Sequence, residues 1–312
     1  MNKILIKIKK IVLSHEIAVG VLIFFVSILF LFLLQGRNNL LASASIGITW
    51  IGVGFVFDFL YKCQTGKSLI AFYLSSKYRI IKITIASLIF SFSLDFFFHY
   101  LTRLWYYPHI PYWIYIPIGP AFYLFYSLVL FILYKNFKQI LNRYVHGGRL
   151  SIINHVVYKV TMNILFVVGI IGVYLSTSFG LSNASTFNFP VYSTSEVSTQ
   201  TIPIWFVLVI LPSLYFIIEY ACYLEKKETF VFDIIRKDFI PLIAILLANF
   251  TGIFLIEIIN VPVQIWMFTN WPLSEVKFLT LPLLVWIAWP LQFLLMLSLF
   301  RFVLDKKEMD IW

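Results

Sequence analysis

The chain has 312 residues, 61% of them hydrophobic and 12% charged, with a mean hydropathy of +0.91 and a formal net charge of +10. Soluble domains carry about a quarter charged residues, so this composition, with apolar runs of about 20 residues recurring along it, excludes a soluble globular fold and predicts an all-α, polytopic membrane helical bundle. The cations lie in the connections between apolar segments and form no nucleic-acid motif, so the bilayer is the expected partner and nucleic acid is not.

Met1 to about Glu16 reads as a basic amphipathic lead-in with Lys3, Lys7, Lys9 and Lys10. No small-residue cleavage site follows the first apolar run, so a retained interfacial helix is expected. Eight spans follow, at about 17–35, 40–61, 80–102, 112–134, 158–178, 204–224, 239–260 and 279–303. Of the 24 lysines and arginines, 21 fall at the N-terminus, in 62–82, 135–159 and 225–238, or from Arg301 onward; Arg37, Arg103 and Lys277 make up the alternate set. That alternation places both termini in the cytoplasm. Cys63 and Cys222 then sit at cytoplasmic helix ends, where reduced thiols are expected. The connection from Gly180 to Thr201 is rich in Ser, Thr and Asn and should face outside; Asn183-Ala184-Ser185 fits a glycosylation acceptor, but so short a match arises by chance and a plain solvated loop is the preferred reading.

The third and seventh spans end alike. Leu94-Asp95-Phe96-Phe97-Phe98-His99-Tyr100-Leu101-Thr102-Arg103-Leu104-Trp105 corresponds, at an offset of 161 (266 − 105), to the run from Leu255 to Trp266. His99 falls on Asn260 and Arg103 on Gln264, while Asp95 and Glu257 miss each other by one position. Asp58 and Glu219 also differ by 161, and each precedes a short amphipathic piece and a basic cluster. The chain therefore reads as two parallel four-helix repeats, 1–150 and 151–312, with the second carrying the 180–201 insertion. An even number of spans per half puts the pseudo-twofold axis along the membrane normal, with a shared cleft between the halves.

On a regular α-helix Asp95, His99 and Arg103 form one stripe, as do Glu257, Asn260 and Gln264. Polar stripes inside a span face the bundle interior, because desolvating an unpaired charge costs several kcal/mol. Asp95 has His99 and Arg103 to keep it ionised. Glu257 has only neutral amides on its helix, so burial favours the neutral acid, the form general-acid chemistry on an apolar substrate requires. The bland alternative is an ion network at Asp95 and an interhelical hydrogen bond at Glu257. Asp58 and Glu219 read as boundary acids pairing with Lys62 or Lys226 and Lys227. Trp105, Tyr106, Tyr107, Tyr112, Trp113 and Tyr115, with Trp266, Phe268 and Trp271, read first as an interfacial belt and second as an aromatic mouth holding a polyene or a cationic intermediate. Pro108, Pro111, Pro117, Pro120, Pro262 and Pro272 should keep these segments from being plain helix.

Neither a P-loop, a Gly-rich dinucleotide turn, HExxH nor a paired Asp-rich magnesium motif is present, and no metal or cofactor is expected. The layout of Lys77-Tyr78-Arg79, Asp95, Thr102-Arg103, Trp105, Pro108, Ile116-Pro117-Ile118 and Phe122-Tyr123-Leu124-Phe125 resembles the lycopene cyclase domain of the heterodimeric or fused bacterial and archaeal type. Glu257, Trp266, Trp271-Pro272 and Leu281-Pro282-Leu283 repeat it. The resemblance covers three of four spans in each half and implies an isoprenoid or carotenoid-like substrate. It further implies cofactor-free isomerase- or lyase-type chemistry, driven by glutamates that protonate a double bond. Where that family carries its glutamate pair, this chain has Gly119-Pro120 and Leu284-Val285. Three readings follow: Asp95 and Glu257 take over the acid–base work, the chain binds an isoprenoid without cyclising it, or the likeness is one of fold. On the first, Glu257 and Asp95 are catalytic, and His99, Arg103, Trp105, Asn260, Gln264, Trp266 and Trp271 line the substrate. The rival class is a non-catalytic subunit with a membrane-protein partner, or a small-solute transporter.

Overall fold

A computed structural model describes residues 15–34, 39–107, 112–144, 155–183, 202–264, 266–278 and 281–304. The N-terminal lead-in, Pro108, Pro111, the end of the acceptor motif and the loop at 184–201 lie outside these, as do the side chains of Tyr112, Trp113 and Tyr115. The described residues form α1 (Glu16–Leu34), α2 (Asn39–Thr65), α3 (Leu69–Leu74), α4 (Lys77–Leu94) continued by a π-helical segment (Asp95–Leu101), β1 (Trp105–Tyr106), α5 (Tyr112–Tyr144), α6 (His155–Asn183), α7 (Ile204–Leu224), α8 (Phe230–Ile235), α9 (Ile240–Val263), β2 (Met267–Phe268), β3 (Lys277–Phe278), β4 (Leu281–Pro282) and α10 (Leu283–Val303). Eight of the helices are long and apolar enough to cross a membrane, and the protein is an integral membrane helical bundle.

The centre is built from α4, α5, α9 and α10, with α5 against α9 and α4 against α10. The hairpin α1–α2 flanks it through α2 on α5 and α1 on α9. The hairpin α6–α7 flanks it through α7 on α10 and α6 on the π-helical segment. Both hairpins close on small residues. A Cβ at Gly20 would sit 2.9 Å from the Gly52 carbonyl oxygen, and one at Gly169 would sit 2.9 Å from that of Ser213. Only glycine lets these backbones approach so closely, which is how membrane helices gain packing without a hydrophobic drive between them. Gly20 and Gly169 are 149 apart whereas Gly52 and Ser213 are 161 apart, so the chain between the two close-approach points is 12 residues longer in the α6–α7 hairpin than in the α1–α2 hairpin. The flanking helices turn side chains such as Phe25, Leu29, Ile164 and Ile171 outward to lipid.

Two expectations about the helices need correction. Pro117, Pro120 and Pro262 lie inside α5 and α9; neighbouring helices and local adjustment absorb a freed carbonyl in a packed membrane bundle. The third span is not α-helical to its end, because Asp95–Leu101 widens to a π-turn. A π-turn holds one residue more than an α-turn. That extra residue accounts for Asp95 standing four positions before His99 where Glu257 stands three before Asn260.

At the end of the bundle where the chain is most basic, the same local construction occurs twice. Asp58 accepts from the Ser68 hydroxyl at 2.5 Å and from the backbone N–H groups of Leu69 (2.7 Å) and Ile70 (3.2 Å). Ser68 caps α3 through the N–H of Ala71. Glu219 accepts from the N–H of Val231 at 3.0 Å, and Thr229 caps α8 through the N–H of Phe232. Each correspondence is 161 positions. Asp58 and Glu219 are therefore not boundary acids reaching water: both are fully buried and anchor the short helices. Lys62 pairs instead with Glu16, at 3.3 Å. Arg301, grouped with the tail by its charge, is also buried, its guanidinium 3.5 Å above the Phe230 ring and 3.5 Å from Asp233.

Candidate functional site

The opposite end of the bundle carries the polar stripes, and it is closed by the turns that follow them. β1 and β2 pair antiparallel with Trp105 opposite Phe268 and Tyr106 opposite Met267. Tyr106 and Met267 are themselves 161 apart, and the Tyr106 hydroxyl donates to the Met267 sulfur at 3.2 Å. Burial raises the Tyr106 phenol above its ordinary range, so it stays a donor. Thr269 donates its hydroxyl to the Arg103 carbonyl at 2.6 Å and its N–H to that of Leu104 at 2.9 Å. The Trp271 indole N–H donates to the Leu104 carbonyl at 2.7 Å, and the Asn270 amide to that of Arg103 at 3.2 Å. Trp105 and Trp271 are buried, and Trp105 stacks on Phe98 at 5.3 Å between centroids. These tryptophans pack the seam between the two turns rather than forming an interfacial belt. A buried carbonyl at each turn demands a donor, and the indole and amide groups of the second turn supply it.

Arg103 and Gln264 do not extend the stripes. Both adopt the left-handed conformation, φ 54° and 48°, and end their helices there. Behind them His99 and Asn260 do the same task. His99 Nδ1 lies 2.7 Å from the Trp105 carbonyl oxygen, and the Asn260 amide donates to the Trp266 carbonyl at 3.1 Å while its oxygen accepts from the Trp266 N–H at 3.3 Å. The geometry makes both residues holders of the turn. His99→Asn, which copies the other turn, is expected to keep most of the stability, whereas His99→Ala orphans a buried carbonyl at about 1–3 kcal/mol. Thermal melting of both variants in detergent compares them; equal losses would contradict this role.

Glu257 is buried, and its hydrogen-bond donors among the described residues are neutral. The Trp266 indole N–H donates to Oε1 at 3.0 Å and the Asn260 amide reaches Oε2 at 3.4 Å. Asp95 is half-buried and accepts from the Tyr123 hydroxyl at 3.4 Å. Tyr123, whose second side-chain partner is Tyr107, meets Tyr126 edge-on at 6.4 Å between centroids. Tyr126 lies within electrostatic reach of Glu257. Two tyrosines of α5 thus stand between the acids that α4 and α9 supply. Sequence reasoning missed this ladder, although tyrosines three apart on an apolar span signal a need for polar partners.

Tyr126 also packs edge-on against Trp50 at 5.4 Å. Trp50, with Ile46, Thr49, Val53, Leu255, Ile256 and Ile259, walls a small, half-open apolar crevice between α2 and α9 with about 10 Å³ of free space. The crevice thus shares its Trp50 wall with Tyr126, the tyrosine within electrostatic reach of Glu257. Comparisons with protein-family models, curated proteins and solved structures find no match to this chain.

Proposed function

We propose that this integral membrane protein takes a long apolar isoprenoid or carotenoid-like lipid and acts on it by cofactor-free acid–base chemistry: cyclisation, isomerisation or hydration. Glu257 is the acid; Asp95, through Tyr123, is the base or the group that stabilises a developing cation. The observation that carries this is Glu257 itself: a buried carboxyl, hydrogen-bonded by neutral donors and within electrostatic reach of Tyr126, which packs on the Trp50 wall of an apolar crevice. A carboxyl so placed serves as a proton donor to a double bond, which offers no other handle. The layout resembling a lycopene cyclase domain points the same way. We read the residues near 1–150 and 151–312 as copies related by an axis through the Tyr106–Met267 pair, with both termini in the cytoplasm. Purification in mild detergent followed by mass spectrometry of the bound lipid tests the substrate class. A stoichiometric polyene or polyprenoid supports it, and bulk phospholipid alone counts against it.

Two observations favour a non-catalytic subunit or a small-solute transporter instead. Both Glu257 oxygens, His99 and Asn260 are already engaged in holding the turns, and the crevice is small beside a carotenoid. Proton-coupled uptake into liposomes separates the transporter from the enzyme.

A further inference from the structure

At the basic end, Lys135 on α5 is 6% exposed, yet no hydrogen bond or ion pair reaches its ammonium among the described residues. The charges that face it are Lys138, one turn along α5, and Arg301, in the last turn of α10. Of the acids around Arg301, Asp233 is held by Arg301 at 3.5 Å and Arg236 at 3.1 Å, Glu219 accepts from the Val231 N–H and from the Ser298 hydroxyl at 2.8 Å, and Glu228 is exposed. Holding an ammonium largely out of water without a counter-charge is unfavourable, and two neighbouring cations add to the cost. Packing alone does not call for a lysine here. The residue opposite it when Ile116-Pro117-Ile118 is laid on Leu281-Pro282-Leu283, at an offset of 165, is Phe300, fully buried and apolar.

We propose that Lys135, with Lys138 and Arg301, forms a binding site for a phosphate-class anion, and that its source is a phospholipid headgroup. The height of the site selects the source. Arg301 stands two residues before the end of α10, where a 21-residue span leaves the hydrocarbon and lipid phosphates lie. Ammonium and guanidinium donors together suit a phosphate's several acceptor oxygens. The site lies at the far end of the bundle from Glu257 and does not depend on the function proposed for that residue.

The test is the thermal midpoint of the full-length protein in phosphatidylcholine nanodiscs as dioleoyl phosphatidic acid is raised, with a parallel series in sodium phosphate. The wild type is expected to gain several degrees with phosphatidic acid, and Lys135→Met, which keeps an unbranched chain and removes the charge, to fold at least as well in phosphatidylcholine and to need tenfold or more lipid for the same shift. Lys138→Met, at a position less critical to packing, is expected to weaken the response partially and guards against a Lys135→Met protein that does not fold. A response to free phosphate as well keeps the site but makes its ligand a soluble phosphate. No lysine-dependent shift with either ligand overturns the proposal.

Discussion

Glu219→Ala is expected to lower the unfolding free energy by about 3–5 kcal/mol, the range for removing one partner from a buried charged cluster. The substitution leaves the Val231 N–H and the Ser298 hydroxyl without their acceptor and takes from Arg301 one of the acids that face it. The loss reaches beyond one side chain. Val231 lies in the first turn of α8, α8 carries Asp233, and Asp233 holds both Arg301 and Arg236. Burial pushes the Asp233 carboxyl up from its usual range while those two guanidinium groups pull it down, so its charge depends on their staying in place. Glu219→Gln keeps one acceptor oxygen and is expected to cost less than the alanine variant. Thermal unfolding in detergent measures both; an unchanged midpoint in Glu219→Ala would mean the cluster contributes nothing to holding α7, α8 and α10 together.

Glu257→Gln is expected to reduce conversion of the bound lipid by roughly 10²–10⁴-fold, the usual worth of a positioned general acid, with the fold intact. Glutamine is isosteric and retains an acceptor for the Trp266 indole, but it has no proton to deliver. Product analysis on protein reconstituted with the lipid that co-purifies reads this directly. Full conversion by the glutamine variant would remove Glu257 from the chemistry and leave it as a latch for the Trp266 turn. Asp95→Asn and Tyr123→Phe distinguish the second acid's role: if Tyr123 couples Asp95 to the reacting centre, both lower turnover without changing the melting temperature.

Much of this was legible before any coordinates. Spans as apolar as α6 and α9 have only one solvent that accepts them, so their number and lengths follow from composition and periodicity alone. The offset of 161 was equally readable from Trp105 and Trp266, and it anticipated that His99 and Asn260 would do one job. What that job is, however, required the turns to be placed, because the carbonyls of Trp105 and Trp266 become acceptors only once the left-handed residues Arg103 and Gln264 fold them back.

The remaining points were decided by contacts distant in sequence. Asp58 and Glu219 looked like surface acids because a helix end near lysines usually reaches water; burial under α3 and α8 made them anchors instead. The same holds for Arg301, whose charge suggested the tail and whose packing against Phe230 and Asp233 put it inside. The amino-acid sequence by itself determined that the chain is a membrane bundle of eight spans, since hydrophobicity and helix length are local properties summed along the chain. Which polar groups meet was settled only by the tertiary structure: Tyr123 with Asp95, Trp266 with Glu257, Lys135 with two cations. A side chain's partner depends on how helices rotate and cross, and that is set by packing across the whole bundle.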